Sequence, residues 1–482
     1  MTANVTPNLT VLSADNIQQV HETALTILEK TGIRVADPNA RRVFKKAVGG
    51  KTDQDRFLIP GELVEWAINT APSQLALYCR DGKPGFKLGS PGTEGAVFGI
   101  GVTNLYYQEP LDDRVVPFDR RHMVCATRLG DALDEFDVIS TPGVIQNADP
   151  MEGEILGVLE MLANSKKPLI LLVSDPTAFA AALDMIDELI DTANDRPFVM
   201  PYFNPITPLI LNAETTIKLD LAVSKGLPVI FSNYGMSGAT CPITPGGTLA
   251  LLTAELLAGL TYCQLLKAGA PVVLGSLPAA FDMGSMLSMY SPQSMLLNLA
   301  CAEMMSHYSL PHCGTSGGSI GWGPDLMSGA ILWANHLSST LGKIGLVPFV
   351  GNNFDSLAFS PATVVYAAEI IQFSREFSQG FSLDPEELGL DEILSMEPGA
   401  SYLTSQLTLQ KFKAYMQSSR VWPMLSLEKW QEKGCPRAGD ILRKHTDKLL
   451  REILPPQGYE QLLSGGEEFI KKVCKTMRKT GK

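Results

Sequence analysis

The chain lacks the cysteine pattern of a disulfide scaffold or of a structural metal site. Its eight cysteines are scattered through 482 residues, and none of them forms a C-x-x-C pair. Reduced thiols in a cytoplasmic protein are therefore expected. Only six histidines occur, without H-x-H or H-E-x-x-H spacing, so the sequence predicts no metal site.

Positive charge is also scarce. The chain has 39 Lys and Arg against 51 Asp and Glu, a net charge of −12. Binding to nucleic acid requires a basic surface, so nucleic acid is excluded as a partner. The start of the chain has no basic segment followed by an apolar run. The longest apolar run, Leu249 to Leu266, contains Glu255 and several small residues, which favours a buried helix over a membrane span.

One local pattern recurs along the chain. An apolar helix ends in a small or basic residue, Gly or Pro follows, and a short β-branched run begins. Glycine terminates helices and proline prevents their continuation. Short, continuous apolar runs are typical of strands buried on both faces, as in parallel sheets. The pattern occurs at 162–173, 222–232, 265–275, 306–314 and 342–351.

Collecting all such runs predicts eight strands. They lie near 97–102, 137–141, 169–174, 198–203, 228–233, 271–276, 311–315 and 346–351. Helical patterns fill the gaps, for example from Ala213 to Ser224. Eight strands, each followed by a helix, indicate an α/β fold of the TIM (β/α)₈ barrel type. A doubly wound open sheet is the alternative, but no phosphate-binding glycine turn follows an early strand.

The barrel is predicted to span residues 91–375. Residues 1–90 are predicted to form a mainly helical N-terminal extension, whose clearest helix runs from Asp15 to Thr31. Residues 376–482 return to charged helical sequence and are predicted to form a C-terminal helical extension. We expect these flanks to serve packing and assembly, and therefore predict a homo-oligomer.

The predicted catalytic rim is almost without fixed cations. Barrel enzymes carry their active sites at the C-terminal ends of the strands. Between Gly226 and Gly342 the only Lys or Arg is Lys267, which precedes a strand and so belongs to the opposite rim. A Schiff-base lysine and an Arg- or Lys-based phosphate site are therefore disfavoured.

Aromatic side chains are concentrated where the cations are missing. A quaternary ammonium cannot donate N–H hydrogen bonds, but aromatic faces attract it by roughly 0.5–2 kcal/mol per desolvated contact. Core packing is the alternative for any single ring. Two glycine-rich loops, 235–247 and 313–323, are expected to complete the rim. The aromatic candidates for substrate binding are Tyr106, Tyr202, Phe203, Tyr234, Phe281, Trp322 and Phe354.

Several segments, in this order, resemble the trimethylamine methyltransferase (MttB) superfamily over nearly the whole chain. Because only standard residues occur, the chain resembles the branch without pyrrolysine, whose members demethylate glycine betaine, proline betaine, carnitine and γ-butyrobetaine. The segments are LEKTGIRV (28–35), LYYQEPLDDRVVPFDRRHM (105–123), TSGGSIGWGPDLMSGA (315–330), NNFDSLAFSPATVVYAAEII (352–371), LDEILSMEPGASYLTSQLTLQKF (390–412) and RVWP (420–423).

The resemblance implies a methyltransferase that moves a methyl group from a quaternary amine to Co(I) of a cognate corrinoid protein. Glycine betaine, giving dimethylglycine, is the best candidate substrate. The corrinoid (cobalamin) is expected on the partner protein, with no cofactor or metal bound tightly by this chain. The leaving group is a neutral amine, so no catalytic acid or base is expected, and substrate positioning remains the protein's task.

A betaine also carries a carboxylate, which needs hydrogen-bond donors. The candidates are His312, Asn204, Asn233, Asn352 and the backbone N–H groups of the 314–319 loop. Three alternatives stay open at this point: another betaine as substrate, a non-catalytic barrel that binds quaternary amines, and a zinc-dependent thiol methyltransferase. The last is disfavoured because His312 and Cys313 are adjacent rather than in H-x-C spacing.

Overall fold

Eight parallel strands close into a barrel. The computed structural model describes residues 5–49, 52–53, 56–89, 95–190, 196–315, 318–415 and 419–480. Each barrel strand is hydrogen-bonded to the next, and the last strand pairs with the first, so the sheet has no free edge. The barrel strands are β1 (Val97–Ile100), β2 (Val138–Ser140), β3 (Leu169–Leu171), β4 (Val199–Phe203), β5 (Val229–Ser237), β6 (Val272–Asp282), β7 (His312–Cys313) and β8 (Leu346–Val350).

A helix follows every strand, and the predicted TIM barrel is confirmed. Most of these helices begin with an Asp or Ser cap, a proline in the first turn, or both, which fixes their starts beside the strand ends. The helices are α1 (Arg120–Ala132), α2 (Pro150–Asn164), α3 (Pro176–Leu189), α4 (Ala213–Ser224), α5 (Pro245–Leu266), α6 (Pro292–His307), α7 (Leu326–Leu341) and α8 (Pro361–Gln379).

Two strands run further than the sequence pattern predicts. β5 and β6 pair in parallel from Val229 and Val272 to Ser237 and Ala280, so both project beyond the barrel rim. The predicted loop 235–247 is therefore strand at its start and helix at its end. Beyond the rim, β6 turns at Asp282 into an antiparallel strand, Leu287–Met289.

A layer of aliphatic side chains fills the lower barrel interior. It is supplied by alternate, inward positions of the strands. Its members are Val97, Val138, Ile170, Met200, Ile230, Val273 and Leu346. A hairpin of Gln74–Tyr78 and Pro84–Gly89 closes the N-terminal end below it, and the buried Leu77 and Leu88 join the same cluster.

The flanks pack outside the barrel. The N-terminal flank combines helices with short strands, so it is less purely helical than the sequence predicts. The C-terminal helix lies across α2 and α3, where Arg120 binds Glu160 and Glu467 at 2.6 and 2.7 Å. Before the barrel come helices Ala14–Lys30, Pro38–Val48 and Gly61–Thr70, with strands Ile33–Val35, Thr52–Asp53 and Arg56–Phe57. After it come Pro385–Leu388, Leu390–Ser395, the 3₁₀ turn Tyr402–Thr404, Gln406–Tyr415, Leu427–Glu432, Ala438–Glu452 and Tyr459–Thr480.

Helix α5 is long and apolar enough to cross a membrane by length and composition alone. Most of it is buried inside the molecule, where it packs against β5, β6 and the N-terminal helices. It therefore matches the buried helix that the sequence predicts around Glu255.

Candidate active site

Above the aliphatic layer, the inward positions of the barrel become small or polar. A Cβ on Gly99 would lie 2.6 Å from Val138 Cγ1, and one on Gly275 would lie 2.6 Å from Ser232 Oγ. Only glycine at these two positions leaves room for the neighbouring side chains. Ser140 uses that room to donate to the Pro348 carbonyl at 2.8 Å. The upper interior thus contains hydroxyl groups beside the partly buried Leu172 and Leu277.

Tyr202 and Ser232 contribute two buried hydroxyls to this upper layer. Tyr202 stacks edge-on against Phe349, with ring centroids 5.1 Å apart. Burial raises the pKa of Tyr202, while the Ser232 and Asn204 side chains act in the opposite direction. Neither Tyr202 Oη nor Ser232 Oγ has a hydrogen-bond partner of good geometry within the part of the chain that is described. Buried polar atoms without partners are uncommon and call for an explanation.

The next level up, at the mouth, holds a cluster of Tyr234, Ser288, Tyr290 and Asp355, which we call the mouth cluster. Tyr234 is two residues beyond Ser232 on β5 and therefore faces the same side. Ser288 donates its hydroxyl proton to Asp355 and also interacts with Tyr234. The charge of Asp355 raises the pKa of Tyr290, and the hydroxyls of Thr315 and Ser356 form hydrogen bonds with Tyr290 that lower it.

The loops after β7 and β8 position Asp355. Ser319 N donates to Asn352 O at 3.0 Å, and Asp355 N donates to Ser319 O at 3.1 Å. Phe354, Asp355 and Ser356 all have φ between 53° and 65°, the left-handed region that non-glycine residues rarely occupy. Such a run of unfavourable backbone is maintained only where surrounding contacts fix it, and it marks functional sites more often than other parts of a fold.

The hairpin at the end of β6 brings Ser288 to the cluster. Its turn is held by Asp282, which accepts from Gly284 N at 3.3 Å and from Ser285 N at 3.0 Å. In this register Phe281 lies opposite Ser288. The hairpin therefore reaches past β7 to contact the β8 loop, which covers this side of the mouth.

Burial sets the electrostatics of the mouth cluster. It raises the pKa of Asp355, an effect that the hydrogen bond from Ser288 partly offsets. It also raises the pKa values of Tyr234 and Tyr290, and the charge of Asp355 adds to both. Near neutral pH both phenols are therefore uncharged, and the ionised form of Asp355 places a carboxylate beside two aromatic rings. This combination attracts a cation.

A cavity of about 580 Å³ opens at the rim over β3 and β4. Thr103, Leu172, Tyr202 and Asn204 lie in its wall, so it leads from the surface to the upper interior. Lys218, on α4, also lines it, but its Nζ already donates to Val173 O and Ser174 O at 2.7 and 2.8 Å. Burial lowers the pKa of Lys218, whereas Glu154, Glu214 and Asp175 raise it.

Four of the predicted substrate-binding residues make contacts within the barrel wall or with the core outside it. Phe203 packs on Phe179 at 5.5 Å, and Asn233 donates to Leu252 O and Glu255 on α5. Asn352 donates to Gly101 O and Phe349 O, tying β8 to β1. His312 pairs in register with Leu274 of the outer core.

His312 is fully buried outside the interior, and burial lowers its pKa to about 3. Neither ring nitrogen has a hydrogen-bond partner among the described residues, and the ring is neutral. Of the predicted backbone donors of the 314–319 loop, residues 316 and 317 lie outside the described part of the chain.

The remaining predicted residues divide between the interior and its lip. Tyr202 and Tyr234 point inward, and Asn204 and Phe281 stand at the rim. Tyr106 and Phe354 belong to the loops around the mouth. Trp322 is 68% exposed, and its backbone is held by Asp325 and by Gln108. Only part of the predicted set is therefore brought together.

Sequence reasoning missed Ser232, Ser288 and Tyr290. Strict alternation from Ile230 through Ser232 to Tyr234 contains the signal for Ser232. Ser288 and Tyr290 follow a hairpin whose reach depends on how far β6 projects, for which the sequence has no local signal.

Among the residues that the structure describes, no group of three or more His, Cys, Asp or Glu side chains could hold a metal ion. The absence of a bound metal stays a prediction.

The sequence is similar to known proteins over nearly its whole length. A family model described as trimethylamine methyltransferase (MTTB) matches residues 1–477. Trimethylamine methyltransferase MttB of Desulfitobacterium hafniense (strain DSM 10664 / DCB-2) is 26% identical over 454 residues, covering 91% of this chain and 90% of that protein. A glycine betaine methyltransferase of Desulfitobacterium hafniense (strain Y51) is 24% identical over 416 residues, covering 84% and 85%.

The solved structures agree on the fold. The crystal structure of the Methanosarcina barkeri monomethylamine methyltransferase (MtmB) superposes with a TM-score of 0.53 at 11% identity. It covers 96% of this chain and 88% of that chain. At this identity the match shows a common fold and leaves the substrate open.

Proposed function

Because the chain belongs to the trimethylamine methyltransferase family, we propose that it transfers a methyl group from a quaternary amine to Co(I) of a separate corrinoid protein. Glycine betaine is the proposed substrate and dimethylglycine the product. One of the similar proteins is a glycine betaine methyltransferase, and others are trimethylamine methyltransferases.

The observation that carries this proposal is the mouth cluster. Two neutral phenol rings and the carboxylate of Asp355 stand together at the C-terminal end of the barrel, where TIM-barrel chemistry occurs. A quaternary ammonium fits such a site because it is a large cation without N–H groups. A site for a phosphate or another anion would instead need cations directed at the ligand.

The proposed reaction requires the protein to position the substrate and does not require it to transfer a proton. The corrinoid would supply the nucleophile that accepts the methyl group. The C–N bonding pair stays on nitrogen, which leaves as a neutral amine and needs no proton. Because the positive charge disappears from nitrogen during transfer, a cage that binds the cation too tightly would favour the ground state. Rings with one hydrogen-bonded carboxylate, Asp355, meet this requirement better than several free carboxylates would.

The decisive experiment measures substrate-dependent methylation of a Co(I) corrinoid protein. The purified chain is mixed with reduced corrinoid protein and with glycine betaine, proline betaine, carnitine, γ-butyrobetaine, trimethylamine or tetramethylammonium. We expect the corrinoid absorbance to change with glycine betaine and equimolar dimethylglycine to form. Binding of these amines without any methylation would support a non-catalytic barrel instead and would contradict the proposal.

A further inference from the structure

We propose that Tyr202 Oη and Ser232 Oγ form a subsite for the carboxylate of a short betaine, one level below the mouth cluster. This inference rests on the proposed function and specifies its substrate as a short zwitterion rather than a simple amine. Both hydroxyls are buried, both belong to inward-facing positions, and both lack partners within the described part of the chain.

The first supporting observation is that the hydroxyls of Tyr202 and Ser232 are buried without a hydrogen bond of good geometry among the described residues. An unsatisfied buried hydroxyl destabilises the folded protein, so it is retained where a ligand or water completes its hydrogen bonds. Ser140, in the same upper layer, shows the contrast because its hydroxyl is satisfied by Pro348 O at 2.8 Å. Tyr202 and Ser232 lie close enough for their side chains to interact, yet neither hydroxyl has a hydrogen bond of good geometry among the described residues. Two adjacent donors in this state suit a carboxylate, which accepts hydrogen bonds and donates none.

Spacing is the second step. Ser232 and Tyr234 face the same side of β5 two residues apart, which is about 6.6 Å along a strand. A zwitterion with one methylene between its charged groups spans one such level, with its ammonium at Tyr234 and Asp355. Its methyl groups would then point to the open mouth, where an acceptor must approach.

The aliphatic layer below supplies the third step. Ile230, Met200 and Val273 are completely or almost completely buried and lie directly beneath the two hydroxyls. An anionic group on a longer chain, as in γ-butyrobetaine, would have to enter this apolar layer, where an unpaired charge is strongly disfavoured. The same floor therefore limits substrate length.

Lys218 is a cation near the rim that could bind a carboxylate, but its position argues against that role. It stands at the outer cavity beside Asp175 and Glu214, and two backbone carbonyls already accept from its Nζ. A carboxylate there would place the ammonium away from the mouth cluster.

The test compares Tyr202→Phe and Ser232→Ala with wild-type protein, using glycine betaine and tetramethylammonium as probes in calorimetric binding and in Co(I) methylation. We expect each variant to weaken glycine betaine binding about tenfold or more, because a hydrogen bond to a charged group is lost. Binding of tetramethylammonium, which has no carboxylate, should stay unchanged. Tyr366→Phe, which removes a phenol hydroxyl on the outer face of α8, is the matched control and should alter neither probe.

Equal loss of both probes, or no loss of either, would overturn the carboxylate subsite. So would Lys218→Met being the one variant that selectively weakens glycine betaine. Failure of the proposed function has a different signature, namely absence of Co(I) methylation by wild-type protein with every amine. The binding measurements would still decide the subsite in that case.

Discussion

Asp355 is the residue whose protonation should control binding of the ammonium group. Burial raises its pKa, so it becomes protonated at a higher pH than an exposed aspartate. The charged form attracts the cation and the neutral form does not. We therefore predict that affinity for tetramethylammonium is full above this pKa and falls as pH decreases through it. Calorimetric titration across a pH series measures the transition.

The Asp355→Asn variant should abolish this acid limb and reduce affinity about 10- to 100-fold at neutral pH, as expected for the loss of a partly desolvated charge pair. Asp134→Asn, an exposed carboxylate before β2 at the opposite end of the barrel, is the control and should keep the limb. An unchanged pH profile in Asp355→Asn would remove Asp355 from the ammonium site.

The rings of Tyr234 and Trp322 were both expected to flank the ammonium group, but their exposure separates them. Tyr234 is half-buried in the mouth cluster, whereas Trp322 is 68% exposed. We predict that Tyr234→Ala lowers kcat/KM by about 5- to 30-fold and that Tyr234→Phe recovers much of it. Trp322→Ala should have a smaller effect because solvent screens its ring.

Melting temperature serves as the control for both alanine variants. Loss of a buried packing residue would lower it strongly, at a cost of roughly 3–5 kcal/mol for a large aromatic. A destabilised Tyr234→Ala protein with unchanged kcat/KM per folded molecule would contradict a binding role for this ring.

The sequence does not reveal whether a strand side chain faces the barrel interior or the surrounding helices. A buried strand of a parallel barrel is apolar on both faces, so composition does not reveal the inward positions. Asn233 was expected to contact substrate, yet it turns toward Glu255 of α5. Its neighbours Ser232 and Tyr234 point inward, and strict alternation from a single known inward residue would have assigned all three.

At the scale of elements, most strand positions could be predicted because five of the eight strands begin shortly after a helix that is terminated by glycine or proline. The ends of β5 and β6 could not, since their extension depends on pairing with each other rather than on a local signal. The hairpin that carries Ser288 and Tyr290 depends on this extension. The missing part of the site is therefore a consequence of tertiary pairing.

The hairpin that closes the N-terminal end of the barrel should contribute stability without taking part in chemistry. Leu77 is 1% exposed and packs with the lower aliphatic layer, far from the mouth. We predict that Leu77→Ala destabilises the fold by about 2–5 kcal/mol, visible as a lower melting temperature. Its kcat/KM per folded molecule should match wild type. Leu454→Ala, at an 81% exposed position, is the control and should change neither.

At the scale of the whole molecule, the resemblance seen in ordered segments is confirmed by a family match over residues 1–477. Two of the segments include loop residues of the mouth, such as Ser319 and Asp355. Three of the six segments, 28–35, 390–412 and 420–423, lie in the extensions outside the barrel.

The C-terminal flank exposes apolar side chains that could take part in assembly. Helices Leu390–Ser395 and Gln406–Tyr415 contain no buried residue, although they present several leucines. Leu394 and Leu403 are among the exposed ones, and the segment is held to itself by Glu392, which accepts from Leu407 N at 3.0 Å. Exposed apolar surface of this kind indicates an interaction site.

We expect that site to be filled by a second copy of the chain. The segment follows α8, which ends at the N-terminal side of the barrel, the side opposite the mouth. Replacing Leu394 and Leu403 together by Glu should shift the protein toward a smaller species in light scattering, with Co(I) methylation retained. Leu454→Glu, at another exposed position, should leave the mass unchanged. A monomeric wild-type protein would contradict self-association, and loss of methylation in the double variant would instead connect this surface to the corrinoid partner.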